Sequence, residues 1–168
     1  LSPFALLGTS DTTGGGADLS PRGDPPGFTQ VIDDHTLLLP DRPGNRIADS
    51  FRNILANPRV GLLYLIPGVE WALRLCARAY VVDDPKWLAP LAVRDRVPKL
   101  GIWLELEESE LLPAPALGHA AIWHPETAAA PRTAPAVGRA IIEQMQPDGR
   151  FHGLKGKVLD WVLKLDVK

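Results

Sequence analysis

The sequence predicts a mainly antiparallel β-barrel with helices added at its periphery. Six or seven segments have the composition of β-strands and are joined by short connections. Residues 70–82 and 100–108 alternate between two kinds of side chain, as expected of strands that turn one face toward a barrel interior. A doubly wound sheet would need a helix after nearly every strand, and the sequence lacks that rhythm.

The first forty residues predict four strands joined by turns. Residues 3–9 form an apolar run that ends in a turn, and three glycines at 14–16 connect it to a second strand at 17–21. Runs rich in branched side chains at 29–33 and 36–40 predict the next two strands, with a hairpin turn between them.

A helix and two further strands are predicted next. Asn45 opens a helix in which apolar residues recur at intervals of three and four, and Asn57 precedes the proline that ends it. Residues 59–66 are almost continuously apolar and predict a strand buried on both faces. Alternation over residues 70–82 assigns one face of that strand to Trp71, Leu73, Leu75, Ala77 and Ala79.

One short helix is predicted before the 100–108 strand, and the chain after that strand is predicted to be largely helical. Asp84 begins a short helix, and further helices are expected at 116–123, 135–145 and 154–165. Alanine and proline dominate residues 128–135, which indicates a linker.

Composition is that of a soluble globular protein. The 168 residues suit one domain with a full core, and 45% are hydrophobic against 23% charged. A formal net charge of -2 disfavours nucleic acid as the main partner, because no surplus of cations could displace counterions. A single cysteine, Cys76, excludes an internal disulfide, and no metal site is predicted because the histidines lack ligand spacing.

Membrane association is not expected. No apolar stretch approaches the roughly 18 residues of a membrane span, and no signal-peptide pattern is present, so we expect a cytoplasmic location. The chain does not begin with methionine, and its native N-terminus is expected to lie upstream.

Two arginine-bearing turns are the clearest chemical signal. Arg22 precedes Gly23 and Asp24 after one predicted strand, while Arg42 and Arg46 lie at the start of the first helix. Glycine allows a ligand to approach the backbone, guanidinium groups donate paired hydrogen bonds to phosphate, and a helix start adds free amides. A phosphate-bearing ligand is therefore predicted. The competing interpretation pairs these arginines with neighbouring carboxylates, namely Asp18, Asp24, Asp41 and Asp49.

These turns resemble one branch of the pyridoxamine-5'-phosphate-oxidase-like flavoproteins. The specific match is Ser-Pro-Arg-Gly-Asp-Pro at residues 20–25, followed by Pro-Asp-Arg-Pro-Gly-Asn-Arg at 40–46 and Asn-Pro-Arg-Val-Gly-Leu at 57–62. Ile-Trp-His-Pro at 122–125 matches more loosely. Nothing beyond Pro125 resembles the family.

The resemblance implies a mainly β fold with peripheral helices, in the form of an FMN-binding split β-barrel over residues 1–125. Residues 126–168 would be a C-terminal helical extension packed on the same domain. The resemblance also implies a homodimer with FMN at the subunit interface.

Carried onto this chain, the resemblance also implies a set of cofactor-binding residues. Arg22, Arg42 and Arg46 would hold the FMN phosphate, with Ser20 and Ser50 as hydrogen-bond donors. The backbone near three residues would lie along the isoalloxazine ring, namely Thr29, Gln30 and Val31. The expected site also includes Gly23, Asp24, Asn45 and Arg74.

Relatives of this branch often carry a His-Cys pair and a lysine shortly before the Trp segment, but residues 112–116 here contain no thiol, imidazole or amine. No catalytic residue is therefore assigned.

The leading hypothesis is an FMN-dependent oxidoreductase acting on an unknown small molecule, and the alternative is a flavin-binding carrier or sensor without turnover. Haem or a deazaflavin is a further alternative, with haem disfavoured because no histidine is placed as an axial ligand. Pyridoxamine-phosphate oxidation is disfavoured because the C-terminal Trp-Arg-Leu segment used by such oxidases is absent.

Overall fold

The computed structural model describes residues 2–12, 16–42 and 48–127. Within these ranges the chain forms one antiparallel sheet of seven strands, which confirms the mainly β prediction. The strands are β1 (Phe4–Ser10), β2 (Ala17–Gly23), β3 (Gln30–Asp33), β4 (Thr36–Pro40), β5 (Arg59–Leu65), β6 (Trp71–Val82) and β7 (Gly101–Pro113). The helices are α1 (Asp49–Ala56), α2 (Pro85–Leu88) and α3 (Pro115–His119), with 3-10 turns at Ala89–Leu91 and Pro125–Thr127.

Leu1–Trp123 belongs to one compact unit, and a second unit begins at His124. The helices predicted at 135–145 and 154–165 and the linker at 128–135 lie outside the described residues. The domain boundary at residue 125 and the packing of 126–168 on the barrel therefore stay predictions. None of the helices in the described ranges has the length and apolar content that crossing a bilayer requires.

The sheet curls around a single apolar core. Its strand order is β2-β1-β5-β6-β7-β4-β3, so three strands separate β1 from β4. Even so, Ala5 and Leu7 of β1 lie in the same buried cluster as Leu39 of β4. A flat sheet could not bring these side chains together, because neighbouring strands lie about 4.8 Å apart. The curvature is that of a barrel.

Two asparagines hold α1 against the end of β1. The side-chain amide of Asn53 donates to the Thr9 hydroxyl, and that of Asn57 donates to the Ser10 hydroxyl, each at 3.0 Å. The helix buries Ile54 in the core. Because β2 pairs with β1, this placement sets the first turn of α1 beside β2.

The prediction that residues 59–66 are buried on both faces is wrong. In β5 the side chains of Val60, Leu62 and Tyr64 are buried, whereas Arg59 and Gly61 are exposed. The strand belongs to an antiparallel sheet, whose outer face meets solvent. An apolar run therefore does not require burial on both sides.

In β6 the residues that the sequence assigns to one face do not all enter the core. Leu75, Ala77 and Ala79 are buried, but Trp71 and Leu73 of the same face are exposed, and Ala72 of the opposite face is buried. β6 is twelve residues long and continues its pairing with β7 beyond the core. At that end Trp71 and Leu73 line a cavity rather than the core.

The helix predicted at 116–123 is shorter than expected and lies one residue earlier. α3 ends at His119, and Ala121 adopts a φ of 47°. A non-glycine residue in this left-handed region interrupts helical hydrogen bonding. The short helix predicted from Asp84 is confirmed, since the Asp84 side chain accepts a hydrogen bond from the backbone N–H of Lys86.

Two reciprocal ion pairs join the end of β2 and its following loop to the loop that follows β4, although these strands lie near opposite edges of the sheet. Arg22 Nη1 lies 3.5 Å from Asp41 Oδ1, and Arg42 Nε donates to Asp24 Oδ2. Arg42 Nη2 also donates to the Leu91 carbonyl at 2.8 Å. We call Arg22, Asp24, Asp41 and Arg42 the Arg–Asp clamp. It closes the curled sheet on the side that carries the predicted site.

Replacing Arg42 with alanine is expected to lower the free energy of unfolding by about 2 kcal/mol, because the mostly buried Asp24 carboxylate would be left without its cation. The two side chains are only 22% and 12% exposed. Urea unfolding followed by circular dichroism measures the loss.

The matched control is Arg52→Ala. Arg52 pairs with Asp49, but these side chains are 74% and 46% exposed. That change should cost less than about 0.5 kcal/mol. Equal losses for the two variants would show that the Arg–Asp clamp does not stabilise the closure.

Candidate cofactor site

One face of β2 is polar and half-buried. The strand alternates so that Asp18, Ser20 and Arg22 turn inward while Leu19 and Pro21 are exposed. Such alternation is ordinary for a strand, but polar residues on the inward face are not, because buried polar groups need partners. We call Asp18, Ser20 and Arg22, together with Ser50, the β2 polar face.

Ser50 joins this face from α1. It is the second residue of the helix and is buried, and its hydroxyl donates to Asp18 Oδ2 at 3.5 Å. The residue before the helix, Ala48, has no side-chain oxygen, so no capping hydrogen bond forms there. A helix start without a capping side chain can donate its first amides to an anionic ligand.

Arg22 is the cation of the β2 polar face, and its hydrogen bonding in the described structure is incomplete. Its side chain is 18% exposed, and its contact with Asp41 is long for a charge-assisted hydrogen bond. Its buried Nε has no hydrogen-bond partner among the described residues. A buried donor without an acceptor costs free energy, and an anionic oxygen would remove that cost. This unpaired N–H fits an oxyanion ligand such as a phosphate group.

The local charge favours an anionic ligand only if a carboxylate is neutralised or displaced from its arginine. Asp18, Asp24 and Asp41 outnumber the cations Arg22 and Arg42 in the described part of the site. Burial raises the pKa of Asp41 above the usual value for aspartate, although Arg22 pulls it back in part. The Asp41 carboxylate is therefore held against Arg22 at a desolvation cost, which makes it a displaceable partner.

The structure brings several of the predicted residues together. Ser20, Arg22 and Ser50 belong to the β2 polar face, and Asp24 and Arg42 belong to the adjoining Arg–Asp clamp. The competing interpretation is also met in part, since Arg22 and Arg42 do pair with aspartates. Of the other predicted members, Gly23 ends β2, Arg74 lies on β6, and Thr29, Gln30 and Val31 lie at or just before the start of β3, while Asn45 and Arg46 lie outside the described residues.

Arg74 lies on a different surface. Its guanidinium Nη2 donates to Glu110 Oε2 at 2.7 Å and lies 3.7 Å from Glu108. The side chain is about half exposed. In the described structure Arg74 belongs to an ion-pair ladder on β6 and β7.

An apolar cavity of about 460 Å³ lies beside β3 and the ends of β5, β6 and β7. Its walls are Ser2, Gly27, Thr29, Val31, Leu37, Tyr64, Ile66, Val69, Trp71, Leu73 and Leu111. The sequence did not predict this cavity, and it assigned Trp71 only to one face of the 70–82 strand. The available signal was the run of large apolar residues on alternate positions of the 70–82 strand.

Two hydroxyls meet in the cavity wall. Thr29 Oγ1 and Tyr64 Oη lie 3.0 Å apart and share a hydrogen bond. Burial raises the pKa of the Tyr64 hydroxyl, against a smaller lowering by Thr29, so the phenol stays protonated at neutral pH. Thr29 and Val31 both line the cavity, while the intervening Gln30 has a buried Oε1 with no partner among the residues described.

Residues 1–123 match the family model described as pyridoxamine 5'-phosphate oxidase. The chain belongs to this family. The match confirms the predicted family, and it covers the whole seven-stranded sheet. A comparison with curated proteins finds no match.

Solved structures support the same fold. HupZ from Group A Streptococcus superposes with a TM-score of 0.51 at 18% identity, covering 67% of this chain and 86% of that one. An FMN-binding protein from Syntrophomonas wolfei subsp. wolfei superposes with a TM-score of 0.50 at 9% identity, covering 67% and 78%. At these identities the likeness shows the fold alone, and it confirms the split barrel.

Replacing Asp41 with asparagine should change the pH dependence of stability. Because the folded-state pKa is raised, ionising Asp41 costs stability as pH rises through that pKa, and the cost vanishes below the unfolded pKa. The variant lacks this cost. Relative to wild type it should therefore be more stable at about pH 7 than at about pH 4.

Urea unfolding of both proteins at the two pH values measures the difference, with effects of other carboxylates cancelling in the comparison. A variant that loses stability relative to wild type as pH rises would mean that Asp41 is a well-compensated partner of Arg22.

Proposed function

We propose that this protein binds FMN through the β2 polar face and uses it as an oxidoreductase on a small molecule. The observation that carries the proposal is the buried Arg22 Nε, which has no partner among the described residues. Ser20 and Ser50 lie on the same face and could donate to the same phosphate. Membership of the pyridoxamine 5'-phosphate oxidase family supports the choice of cofactor. So does the likeness to the FMN-binding protein from Syntrophomonas wolfei.

The chain's own residues would bind and orient the cofactor. Arg22 would bind the phosphate group by exchanging Asp41 for it, with Arg42 keeping the two loops together and Arg46 adding a further charge. Gly23 would leave the backbone open, and Asn45 would lie at the helix side of the phosphate. The isoalloxazine ring would lie along Thr29, Gln30 and Val31. FMN supplies the hydride or electron transfer, and the protein supplies the orientation and the electrostatic environment.

Arg42 and Asp24 act differently from Arg22 in this proposal. Two nitrogens of the Arg42 guanidinium are already used, by Asp24 and by the Leu91 carbonyl. We infer that Arg42 positions the loop that follows β4, while Arg22 makes the direct contact.

Changing Arg22 to methionine should weaken FMN binding by about 10- to 100-fold, since a charge-assisted hydrogen bond contributes about 1.5–3 kcal/mol. Riboflavin, which lacks the phosphate, should bind wild type and variant alike. Quenching of flavin fluorescence gives both affinities. The riboflavin measurement also shows whether the variant remains folded.

Arg78→Met is the matched control, because Arg78 is an exposed strand arginine whose Nε donates to Glu107 at 3.0 Å. It should leave both affinities unchanged. Equal losses for FMN and riboflavin in the Arg22 variant would contradict a phosphate contact. A protein that shows no flavin absorbance near roughly 450 nm after incubation with FMN would overturn the proposal as a whole.

A flavin carrier or sensor without turnover is the second candidate. It is favoured by the cavity wall, whose one ionisable side chain among the described lining residues is Tyr64, with its pKa raised by burial. Such a wall offers no group that exchanges protons near neutral pH. Steady-state reoxidation of the reduced flavin decides: acceleration by a small-molecule acceptor over many turnovers supports the oxidoreductase, and its absence supports the carrier.

We also propose that the protein acts as a homodimer in the cytoplasm. Flavin sites of this kind are expected at the subunit interface, as the resemblance implies. Light scattering during size-exclusion chromatography, with and without FMN, measures the mass of the assembly.

A further inference from the structure

Within the described residues, the walls of the apolar cavity beside β3 carry no charge. The lining residues that the structure describes are all neutral, and most are aliphatic or aromatic. The strand register explains this composition. Leu73 of β6 pairs with Leu111 of β7 on the cavity face, while the next pair, Arg74 with Glu110, points to the other face. Charged side chains of the same two strands are thereby kept away from the cavity.

The hydrogen-bonding capacity of the wall is also small. The Ser2 hydroxyl is used by the backbone, since it contacts the Phe4 carbonyl at 2.7 Å and accepts from the Phe4 N–H at 3.2 Å. The Thr29 and Tyr64 hydroxyls carry two hydrogens between them, and their mutual hydrogen bond uses one. The other hydrogen is free to donate. The wall thus presents one hydroxyl donor in an apolar surface.

We propose that this cavity binds a neutral, largely apolar small molecule through a carbonyl oxygen that accepts from the Thr29–Tyr64 hydroxyl pair. A volume of about 460 Å³ lies within the range of small-molecule sites. Tyr64 is buried at the wall and its phenol keeps its proton, so the donor is available throughout the neutral range. That this molecule is the reaction partner of the flavin rests on the proposed function. That the cavity binds such a molecule does not.

The same wall disfavours anions. A phosphate ester or a carboxylate placed there would lose its hydration without meeting a cation. The cavity therefore selects against phosphorylated substrates, even though the β2 polar face is suited to a phosphate. Asp24 of the Arg–Asp clamp and Gly27 of the cavity wall are separated only by Pro25 and Pro26, so the two environments lie close along the chain.

Three probes of matched size test the proposal by isothermal titration calorimetry on the full chain, with FMN present and absent. They are 2-acetylnaphthalene, 2-isopropylnaphthalene and 2-naphthoate, which have the same number of non-hydrogen atoms and differ in the terminal group. We expect the ketone to bind with one-to-one stoichiometry and the carboxylate to bind at least about tenfold more weakly. Failure of the ketone to bind, or tighter binding of the carboxylate, would overturn the proposal.

The double variant Thr29→Val with Tyr64→Phe removes both hydroxyls while keeping the shapes of the side chains. Replacing both partners of a hydrogen bond by apolar groups is close to neutral for folding. The ratio of the ketone's affinity to that of 2-isopropylnaphthalene should fall about fivefold, as expected for one hydrogen bond. An unchanged ratio would overturn the role of the hydroxyl pair.

Leu111→Arg adds a cation at the cavity wall, and the exposed position of Leu111 makes the change tolerable for folding. The variant should raise the affinity for 2-naphthoate relative to the ketone by about tenfold. An unchanged relative affinity would show that the probes bind outside the cavity.

The experiment separates this proposal from the FMN proposal. Ketone binding without FMN binding would support the cavity proposal and contradict the FMN proposal. FMN binding without ketone binding would support the FMN proposal and contradict the cavity proposal. The isoalloxazine is proposed to lie along the backbone of residues 29–31 and the ketone against the side chains of Thr29 and Tyr64, so both should bind at once. Competition between FMN and the ketone would overturn the cavity as a separate substrate site. Loss of ketone binding on formation of a dimer would also overturn it, because the partner subunit would then fill the cavity.

Discussion

The Arg–Asp clamp holds together two segments from near opposite edges of a seven-stranded sheet, and the arrangement of the site depends on that closure. The end of β2 with its following loop supplies Arg22 and Asp24, and the loop after β4 supplies Asp41 and Arg42, so separating the segments would leave all four charges without their partners. Strand pairing alone fixes neighbours along the order from β2 to β3, but it does not bring the two ends together. The reciprocal ion pairs do so at the position where β2 turns its polar side chains inward.

The closure gives the two arginines different tasks. Arg42 donates from Nε to Asp24 and from Nη2 to the Leu91 carbonyl, and these bonds fix the loop that follows β4. Arg22 makes one long contact with Asp41, and its buried Nε has no partner among the described residues. One arginine of the site therefore supports the loop, and the other has a donor left for a ligand. The cost of holding Asp41 beside Arg22 is what allows an anionic ligand to replace it.

Much of this fold follows from local rules that the sequence displays. Alternation, turn residues and the Asp84 cap located the strands and the short helix, because each depends on neighbours within a few residues. The faces of β5 and the start of β6 could not be predicted in the same way. Periodicity tells which residues share a face but not what that face meets, and for Trp71 and Leu73 it meets a cavity.

The candidate site also combines residues that could be predicted from the sequence with contacts that could not. The grouping of Ser20, Arg22 and Ser50 was implied by the family resemblance, which assigned all three residues to the FMN phosphate. The reciprocal pairing of Arg22 with Asp41 and of Arg42 with Asp24 could not, because it arises from the curl of the whole sheet. The Thr29–Tyr64 contact, made across 35 residues of sequence, was likewise invisible before the fold was known.

The most direct test of this account observes the Arg22 Nε–H itself. In protein labelled with ¹⁵N-arginine, its resonance can be assigned by its absence in Arg22→Lys. The account predicts that this signal moves when FMN is added and stays in place when riboflavin is added. FMN binding that leaves the Arg22 signal unmoved would show that the phosphate is held elsewhere, and the central claim would fail.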